Sequence, residues 1–499
     1  MAKPSLIHSS LSSHSGFVKT IIYWYTYTLS SFFLLLGQSI ITEGAKDPKG
    51  FLQTWPIPGG VPVATSFDVK ARVPGGKWTS IETYQPVHSE VNFTTSGSVK
   101  HNSSLAYFDF NGTVEIQARY LKDRVSKAVI RPYSLNLTPK NSGSVISFTL
   151  DEPRDVIVQV NDDIFTNPPD TKVPSEEDKD VMYYGPGYHK LNSTLEVGTG
   201  KTLYVAGGAV VSAPDITVTN SSDVTIRGRG LLYSPKGNSL QIYRSKNVLI
   251  DRLIGINFLP RAYESKDVTF SHWRDFSAVQ WGNGMDVYCC ENVLMNFVFL
   301  RNSDNCIAVY AHRDEWYGNS TNITIQNSIL WADVAHPINI GTHGNTQDPE
   351  TIAGLTIRNI DILDQREGQV EYQGTIALNP GDGNLIQEVL IDDVRVEDIR
   401  VGQLLNFRVM YNTKYNTSPG LGIKDVLVRD LQYTGTKASM SIFVGYDETR
   451  TISNVTFENL VINRKVISDN MQKPGWYLTT DFIPAYANEH VHNMTFTST

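Results

Sequence analysis

The chain has 499 residues, of which 40% are hydrophobic and 19% are charged, and its formal net charge is −8 at neutral pH. This length suits two or three domains, and the composition is that of a globular protein with a sizeable core. The 43 Lys and Arg residues form no basic run, which argues against nucleic acid as a partner.

The first 45 residues are interpreted as a signal segment. Lys3 and Lys19 precede an apolar stretch from Thr20 to Leu36, and Gly37-Gln38-Ser39 then offers small residues at the spacing that signal peptidase prefers. An uncleaved signal anchor is the alternative, because the stretch approaches the length that spans a bilayer. No other apolar run could span a membrane.

Sequons for N-glycosylation support secretion to the extracellular space. Asn-X-Ser/Thr occurs at Asn92, Asn102, Asn111, Asn136, Asn192, Asn220, Asn319, Asn322, Asn416, Asn454 and Asn493. We therefore expect a secreted glycoprotein that has no membrane contact once the signal segment is removed.

Residues 46–175 show short segments in which polar and apolar residues alternate, separated by Gly, Pro and Asn turns. Examples are 66–71, 113–118 and 155–160. Short alternating strands with frequent turns are typical of a small antiparallel β-sandwich. The polar, acidic stretch 168–179 is interpreted as a linker.

Residues 180–499 contain an internal repeat, in which a polar pair precedes a short alternation of branched apolar and polar residues. The first apolar position falls at Val224, Val248, Val268, Val293, Ile323, Leu355, Val389, Val426 and Val455. No repeat has a helical period, and one unit cannot bury its own apolar face, whereas stacked units can. Coils of irregular length with a short strand in each predict a right-handed parallel β-helix, so the fold class is all-β.

Only three cysteines occur, namely Cys289, Cys290 and Cys306. Three residues without a CxxC pair are too few for a zinc site. One disulfide with an odd thiol is possible on this spacing, but we favour three buried, small apolar residues. No cofactor or metal is expected.

Hydrolysis of a glycosidic bond needs two carboxyl groups beside the bond, one to donate a proton and one to activate water or attack. Acidic residues lie in three successive coils of the predicted solenoid: 283–288, 302–310 and 331–341. Since stacked coils are about 4.8 Å apart, these segments are predicted to form one patch.

These segments resemble the β-helical glycoside hydrolases, namely the polygalacturonases and the dextranase/isopullulanase family. The matching elements are Asn283-Gly284, Asp304-Asn305 and the stretch around His336. The stretch 331–341, and the layout of a β-sandwich followed by a β-helix, are closer to the dextranase family. The resemblance implies a pectin-lyase-type fold, with Asp304 at the position of the general acid.

Two family aspartates are replaced by amides here, at Asn283 and Asn305, and an amide cannot take a proton from water. Asp286 or Asp333 could substitute, since both belong to the predicted patch. The catalytic candidates are Asp304, Asp286, His336, Asp333, Asn283 and Asn305.

Polygalacturonases carry a cationic element that pairs with the substrate carboxylate, whereas no Lys or Arg occurs here between Glu371 and Arg395. A neutral glycan such as an α-glucan is therefore favoured over pectin. Aromatic faces can stack on sugars, which suggests Trp316, while Trp331 is interpreted as core. The substrate-binding candidates are Tyr310, His312, Arg313, Trp316 and His343.

The sequence predicts an inverting glycosidase, expected to be a monomer, that acts on an extracellular polysaccharide, such as one of a cell wall. A pectin hydrolase of the polygalacturonase type is one alternative. Another is a polysaccharide-binding protein that kept the groove and lost the chemistry, as the two amides suggest. A lyase would need a basic residue beside a carboxylate, for which the groove segments offer only Arg313.

Overall fold

The sequence repeat corresponds to one face of a stacked coil. A computed structural model describes residues 50–91, 98–160, 162–369, 372, 374–472 and 485–498. The predicted signal segment and the sequon at Asn92 lie outside these residues. Val224 pairs with Val248, Val248 with Val268, and so on through Ile323 to Val455, each in parallel register.

In the described part of residues 181–497, twenty-nine strands form one continuous hydrogen-bonded sheet, which winds into a right-handed parallel β-helix with three faces. The first face, the repeat sheet, consists of Val181–Tyr184, Thr202–Val205, Ser222–Gly228, Lys246–Asp251, Lys266–Ser271, Glu291–Asn296, Ser320–Ala332, Glu350–Asp364, Asn384–Val396, Gly422–Tyr433, Ile452–Glu458 and Val491–Thr497. The prediction of a parallel β-helix is confirmed.

The second face is the interface sheet, and long strands that turn a corner of the coil join it to each of the other two faces. The interface sheet consists of Gly187–Lys190, Ala209–Ser212, Leu231–Tyr243, Ile254–Tyr263, Arg274–Phe276, Phe299–Asn302, Leu460–Ile462 and the later halves of the four strands from Ser320–Ala332 to Gly422–Tyr433. Lys465–Ile467 adds to it antiparallel.

The third face is the cleft sheet, which carries the candidate site. It consists of Leu195–Glu196, Ile216–Thr219, the ends of Leu231–Tyr243 and Ile254–Tyr263, and then Met285–Tyr288, Ile307–Tyr310, Ile338–Gly341, Ile376–Asn379, Leu405–Arg408, Ser441–Val444 and Ala485–Ala487. A separate hairpin, His312–Arg313 with Trp316–Tyr317, follows one of these strands.

The polar pair in each repeat forms a tight corner of the coil. Its second residue has a positive φ, as at Asp223, Asn247, Asp267 and Asn292, with values from 53° to 59°. Asn and Asp tolerate this left-handed conformation better than most residues. Their side chains also hydrogen-bond between coils, for example Asn247 Nδ2 to Asp223 Oδ1 at 2.7 Å.

Of residues 50–167, those that the structure describes form two five-stranded sheets packed face to face. One sheet has the order Leu52–Gln53, Leu105–Phe110, Asp162–Asn167, Val156–Gln159, Val129–Arg131, and the other Thr79–Ile81, Phe67–Arg72, Val114–Tyr120, Val145–Leu150, Lys140–Ser142. A hairpin of Val87–Val91 and Ser98–Asn102 and a 3₁₀ turn at Tyr133–Leu135 complete the sandwich. Its strand pairs are antiparallel, as predicted, except that Asp162–Asn167 runs parallel to Leu105–Phe110.

The sandwich packs on the interface sheet, and the described residues from 50 to 498 form one compact unit. Apolar residues of both parts share one buried cluster, for example Tyr84 and Leu105 with Ile254 and Phe276. Buried ion pairs cross the same contact: Arg229 Nε lies 2.8 Å from Asp109 Oδ2, and both side chains are at most 5% exposed. Arg274–Asp155 and Arg131–Glu397 also cross it.

Cys289, Cys290 and Cys306 are buried free thiols, so the interpretation of three buried, small apolar residues is confirmed.

Two further sequence predictions concern the sequons and the membrane. The sequon at Asn416 was a wrong candidate for a glycan, because its amide is 5% exposed and donates to the carbonyl of Thr342. Among the described residues, no helix is long and apolar enough to cross a membrane.

Replacing Arg229 by Met should leave the Asp109 carboxylate buried without its main partner. We expect a loss of about 3–5 kcal/mol in the free energy of unfolding. The control is Arg429→Met, which breaks an ion pair whose arginine is 42% exposed, and which should cost at most about 1 kcal/mol. Denaturant unfolding of both variants measures the difference between their free energies of unfolding. Equal midpoints would show that the buried Arg229–Asp109 pair does not stabilise the contact between the sandwich and the β-helix.

Candidate active site

Four tyrosines at the ends of successive strands form a ladder on the cleft sheet. Tyr243, Tyr263, Tyr288 and Tyr310 pair in register, with consecutive ring centroids 4.9, 4.7 and 5.7 Å apart. Because parallel strands stack at this spacing, one aromatic residue per coil gives a continuous column. The column forms part of the base of the candidate site.

The three acidic segments predicted to meet are joined by direct backbone hydrogen bonds. Gly284 N donates to Asn305 O at 2.8 Å, and Cys306 N donates to His336 O at 2.9 Å. A side chain at 284 would not fit, because a Cβ there would lie 2.3 Å from the carbonyl oxygen of Cys306. This glycine therefore allows the close approach that brings the coil of Asn283 onto the coil of Asp304.

A cavity of about 770 Å³ opens over these segments. The predicted residues that line it are Asn283, Asp286, Asp304, Asn305, Tyr310, Arg313 and His343. Further lining residues that the sequence analysis did not single out include Arg261, Trp281, Arg366, Glu367, Tyr372 and Tyr415. The structure thus brings most of the candidates into one cavity.

Asp304 is the candidate with the clearest chemical character. One of its carboxylate oxygens accepts a hydrogen bond from the Asn305 backbone at 2.9 Å. Burial, together with the negative charge of Asp286, raises the pKa of Asp304 to about 6, although the hydrogen bond from Asn305 lowers it. A carboxyl group that keeps its proton in weakly acidic solution is what a proton donor requires.

Asp286 is a buried carboxylate whose side chain is 1% exposed. Asn283 Nδ2 donates to one of its oxygens at 2.7 Å, and Arg261 Nε lies 3.2 Å from the other. The amide at 283 is therefore used locally as a donor to Asp286. An aspartate at 283 would place a second negative charge against this carboxylate.

His336 is fully buried and does not line the cavity. Its Nδ1 lies 2.7 Å from Asn305 Oδ1, and its Nε2 contacts the carbonyl oxygen of Tyr372. Burial lowers the pKa of His336 to about 4. Its position is that of a residue that orients the Asn305 amide.

The prediction that Asp333 joins the patch was wrong. Asp333 is 2% exposed and forms an ion pair with Arg301, whose Nε lies 3.1 Å away. Arg301 lines a separate cavity beside the sandwich, together with Trp331. Asp333 follows directly on a strand of the interface sheet, so it faces the sandwich, although it precedes His336 by only three residues. Trp331 is buried there, 4.1 Å from the Arg301 guanidinium.

Two of the predicted substrate-binding residues also lie outside the cavity lining. Trp316 stacks on Tyr243 at 5.1 Å and lies under the guanidinium of Arg244. His312 lines a neighbouring pocket, and its Nδ1 is 3.8 Å from Glu350 Oε1. Both residues belong to the short hairpin, which holds their side chains outside the cavity lining.

Arg313 and His343 line both the cavity and the neighbouring pocket, and Arg313 Nη1 lies 3.0 Å from His343 Nε2.

Sequence reasoning missed two residues with strong chemical character. Trp281 is 65% exposed at the edge of the cavity, in the turn just before Asn283. Glu367 lines the cavity with 5% of its surface exposed, and burial raises its pKa to about 7. Proximity in sequence to the motif could have indicated Trp281. Glu367 lies in a loop with no motif, and only the fold brings it near Asp304.

The cavity lining carries three arginines, Arg261, Arg313 and Arg366, and four acidic residues, Asp286, Asp304, Asp314 and Glu367. The absence of Lys and Arg between Glu371 and Arg395 had suggested a site without cations. Arginines do line the cavity, but they do not outnumber the acidic residues. With all four acidic residues ionised, above about pH 7, an anionic polymer would gain no net attraction here. In the part of the chain that the structure describes, no cluster of three or more His, Cys, Asp or Glu could hold a metal.

Comparison with solved structures identifies the fold. Dex49A from Penicillium minioluteum has a TM-score of 0.51 and 12% identity, over 86% of this chain and 93% of that one. A Family 28 exopolygalacturonase from Yersinia enterocolitica has a TM-score of 0.42, with 12% identity over 88% and 99% of the two chains. The catalytic domain of a GH87 α-1,3-glucanase in complex with nigerose has a TM-score of 0.40, with 12% identity over 90% and 88%.

At the level of the fold, the predicted resemblance to β-helical glycoside hydrolases is confirmed. No protein-family model matches the sequence. A search by sequence among curated proteins gives no match either.

Replacing Asp304 by Asn should stabilise the protein at neutral and alkaline pH. Since the pKa of Asp304 is raised to about 6 in the folded state, ionisation opposes folding above that pH, whereas below about pH 4 the carboxyl is protonated in both states. We expect a gain of about 2 kcal/mol at pH 8 that disappears near pH 4. Unfolding midpoints across this range provide the test, and a gain independent of pH would contradict it.

Proposed function

We propose that this protein is a secreted glycoside hydrolase that cleaves a neutral extracellular polysaccharide, such as an α-glucan, with inversion at the anomeric carbon. The observation that carries the proposal is a carboxyl group with a raised pKa, Asp304, in an open cavity beside an exposed indole. The β-helix fold shared with Dex49A supports the class of enzyme.

In the proposed reaction, Asp304 donates its proton to the oxygen that leaves. The charge of Asp286 keeps that proton on Asp304 until substrate arrives, since it raises the pKa of its neighbour. Asn283 and Asn305 orient water through their amides, and His336 holds Asn305 in place. An inverting reaction requires room for that water between the proton donor, here Asp304, and the group that activates the water.

A neutral substrate fits the charge of the cavity. When Asp304 holds the proton that the reaction needs, three arginines face three carboxylates, which provide no surplus of positive charge for a galacturonan. The exposed face of Trp281 suits the apolar C–H side of a pyranose ring. A pectin hydrolase remains the alternative enzyme, and the substrate panel below separates the two.

One observation favours a second function, that of a polysaccharide-binding protein without catalysis. Asn283 and Asn305 cannot accept a proton, and Asn283 is held by Asp286. This function predicts that a glycan binds and that no reducing ends are released.

The wild-type protein, expressed without residues 1–45, should release reducing ends from at least one of dextran, pullulan or other glucans, and not from polygalacturonate. Asp304→Asn should lower kcat by about 10²–10⁴-fold, because a positioned proton donor contributes that much. Reducing-end assays and NMR of the first-formed anomer measure both. Full activity in Asp304→Asn would refute the assignment, and cleavage of polygalacturonate alone would favour the pectin hydrolase.

Trp281→Ala should raise KM for the cleaved polysaccharide by about two- to tenfold, which corresponds to the loss of one aromatic contact. Because Trp281 is 65% exposed, the free energy of unfolding should change by no more than about 0.5 kcal/mol. Phe297→Ala is the control, an exposed aromatic outside the cavity lining. An equal KM in both variants would exclude a sugar platform at Trp281.

A further inference from the structure

The proposed hydrolase lacks one component, a group that takes a proton from water. Asn283 and Asn305 are amides, and an amide cannot do this at any useful pH. Asp286 is a carboxylate, but its side chain is 1% exposed and lies between Asn283 and Arg261. It is well placed to influence Asp304 electrostatically and poorly placed to contact water.

Glu367 is the remaining buried carboxyl group in the cavity lining. Its segment is bridged to the coils on both sides, since Arg366 pairs with Ala335 and with Val401. The backbone N of Glu367 donates to Val401 O at 3.0 Å. The backbone N of Gln369 donates to Glu367 Oε1 at 2.7 Å. These contacts hold the carboxyl group in a defined position, as catalysis requires.

Glu367 is also electrostatically coupled to Asp304. The pKa of Glu367 is raised to about 7 by burial and by the negative charge of Asp304, against the hydrogen bonds from Gln369 and the charge of Lys414, which lower it. The pKa of Asp304 is about 6, about one unit below that of Glu367, so roughly a tenth of the singly protonated pairs hold the proton on Asp304 and leave Glu367 ionised. A pair that shares one proton can donate at one member and accept at the other.

We propose that Glu367 is the catalytic base of this cavity, in place of the carboxylates that Asn283 and Asn305 lack. The inference rests on the proposed hydrolase function. In the step, a water oxygen bonds to the anomeric carbon and passes a proton to the Glu367 carboxylate. The bond from the anomeric carbon to the glycosidic oxygen breaks, and that oxygen takes the proton of Asp304.

The first test is Glu367→Gln, which keeps the size and the acceptor oxygen of the side chain. We expect kcat on the cleaved glucan to fall by about 10²–10⁴-fold, with little change in KM and no loss in the unfolding midpoint. The matched control is Glu291→Gln, an exposed glutamate on the repeat sheet paired with Lys266, which should retain wild-type activity. If Glu367→Gln keeps wild-type kcat, the inference is overturned.

A second variant separates a catalytic role from a structural one. In Glu367→Ala, sodium azide can attack the anomeric carbon without loss of a proton, so added azide should restore turnover and yield a glycosyl azide of inverted configuration. Azide should not rescue Asp304→Ala. Absence of rescue in a folded Glu367→Ala protein would overturn the base assignment while the wild type still cleaves. Absence of cleavage by the wild type across the panel would instead overturn the hydrolase itself, and the inference with it.

Discussion

The parallel register between coils is the constraint on which the rest of this structure depends. Each repeat places its first branched apolar residue directly over that of the coil before, so that Val224 to Val455 form one buried column. Corner residues with positive φ, such as Asn247, fix where each coil turns. Residues far apart in sequence therefore come to lie about 4.8 Å apart. The candidate site is one product of this register.

The same register separates the two functional surfaces of the β-helix. The interface sheet faces the sandwich with apolar residues and buried ion pairs such as Arg229–Asp109, while the cleft sheet carries the tyrosine column and the cavity. Asp333 and Asn305 are only 28 positions apart, yet they lie on different sides of one corner. Burial then tunes the carboxyl groups of the cavity, since removal from water raises the pKa of both Asp304 and Glu367.

The features that could be predicted from the sequence are those that the period of the repeat and the pattern of its strands determine. The β-helix, the sandwich before it, the buried thiols and the meeting of the segments near Asn283, Asp304 and His336 all follow from strand-length patterns and stacking. Sequence reasoning did not predict the positions of side chains that follow a corner or a hairpin, which is why Asp333, His312 and Trp316 were misplaced. Glu367 could not be found, because its position in the cavity depends on a loop contact with Val401 that no local pattern encodes.

The most direct test of Asp304 as proton donor is a crystal structure of Asp304→Asn with isomaltohexaose or maltohexaose bound. We expect a sugar chain across the cavity, a ring against Trp281, and one glycosidic oxygen within hydrogen-bond distance of residue 304. A water between the anomeric carbon and the Glu367 carboxylate would complete the arrangement. A sugar bound only elsewhere, or one whose glycosidic oxygens all lie remote from residue 304, would contradict it.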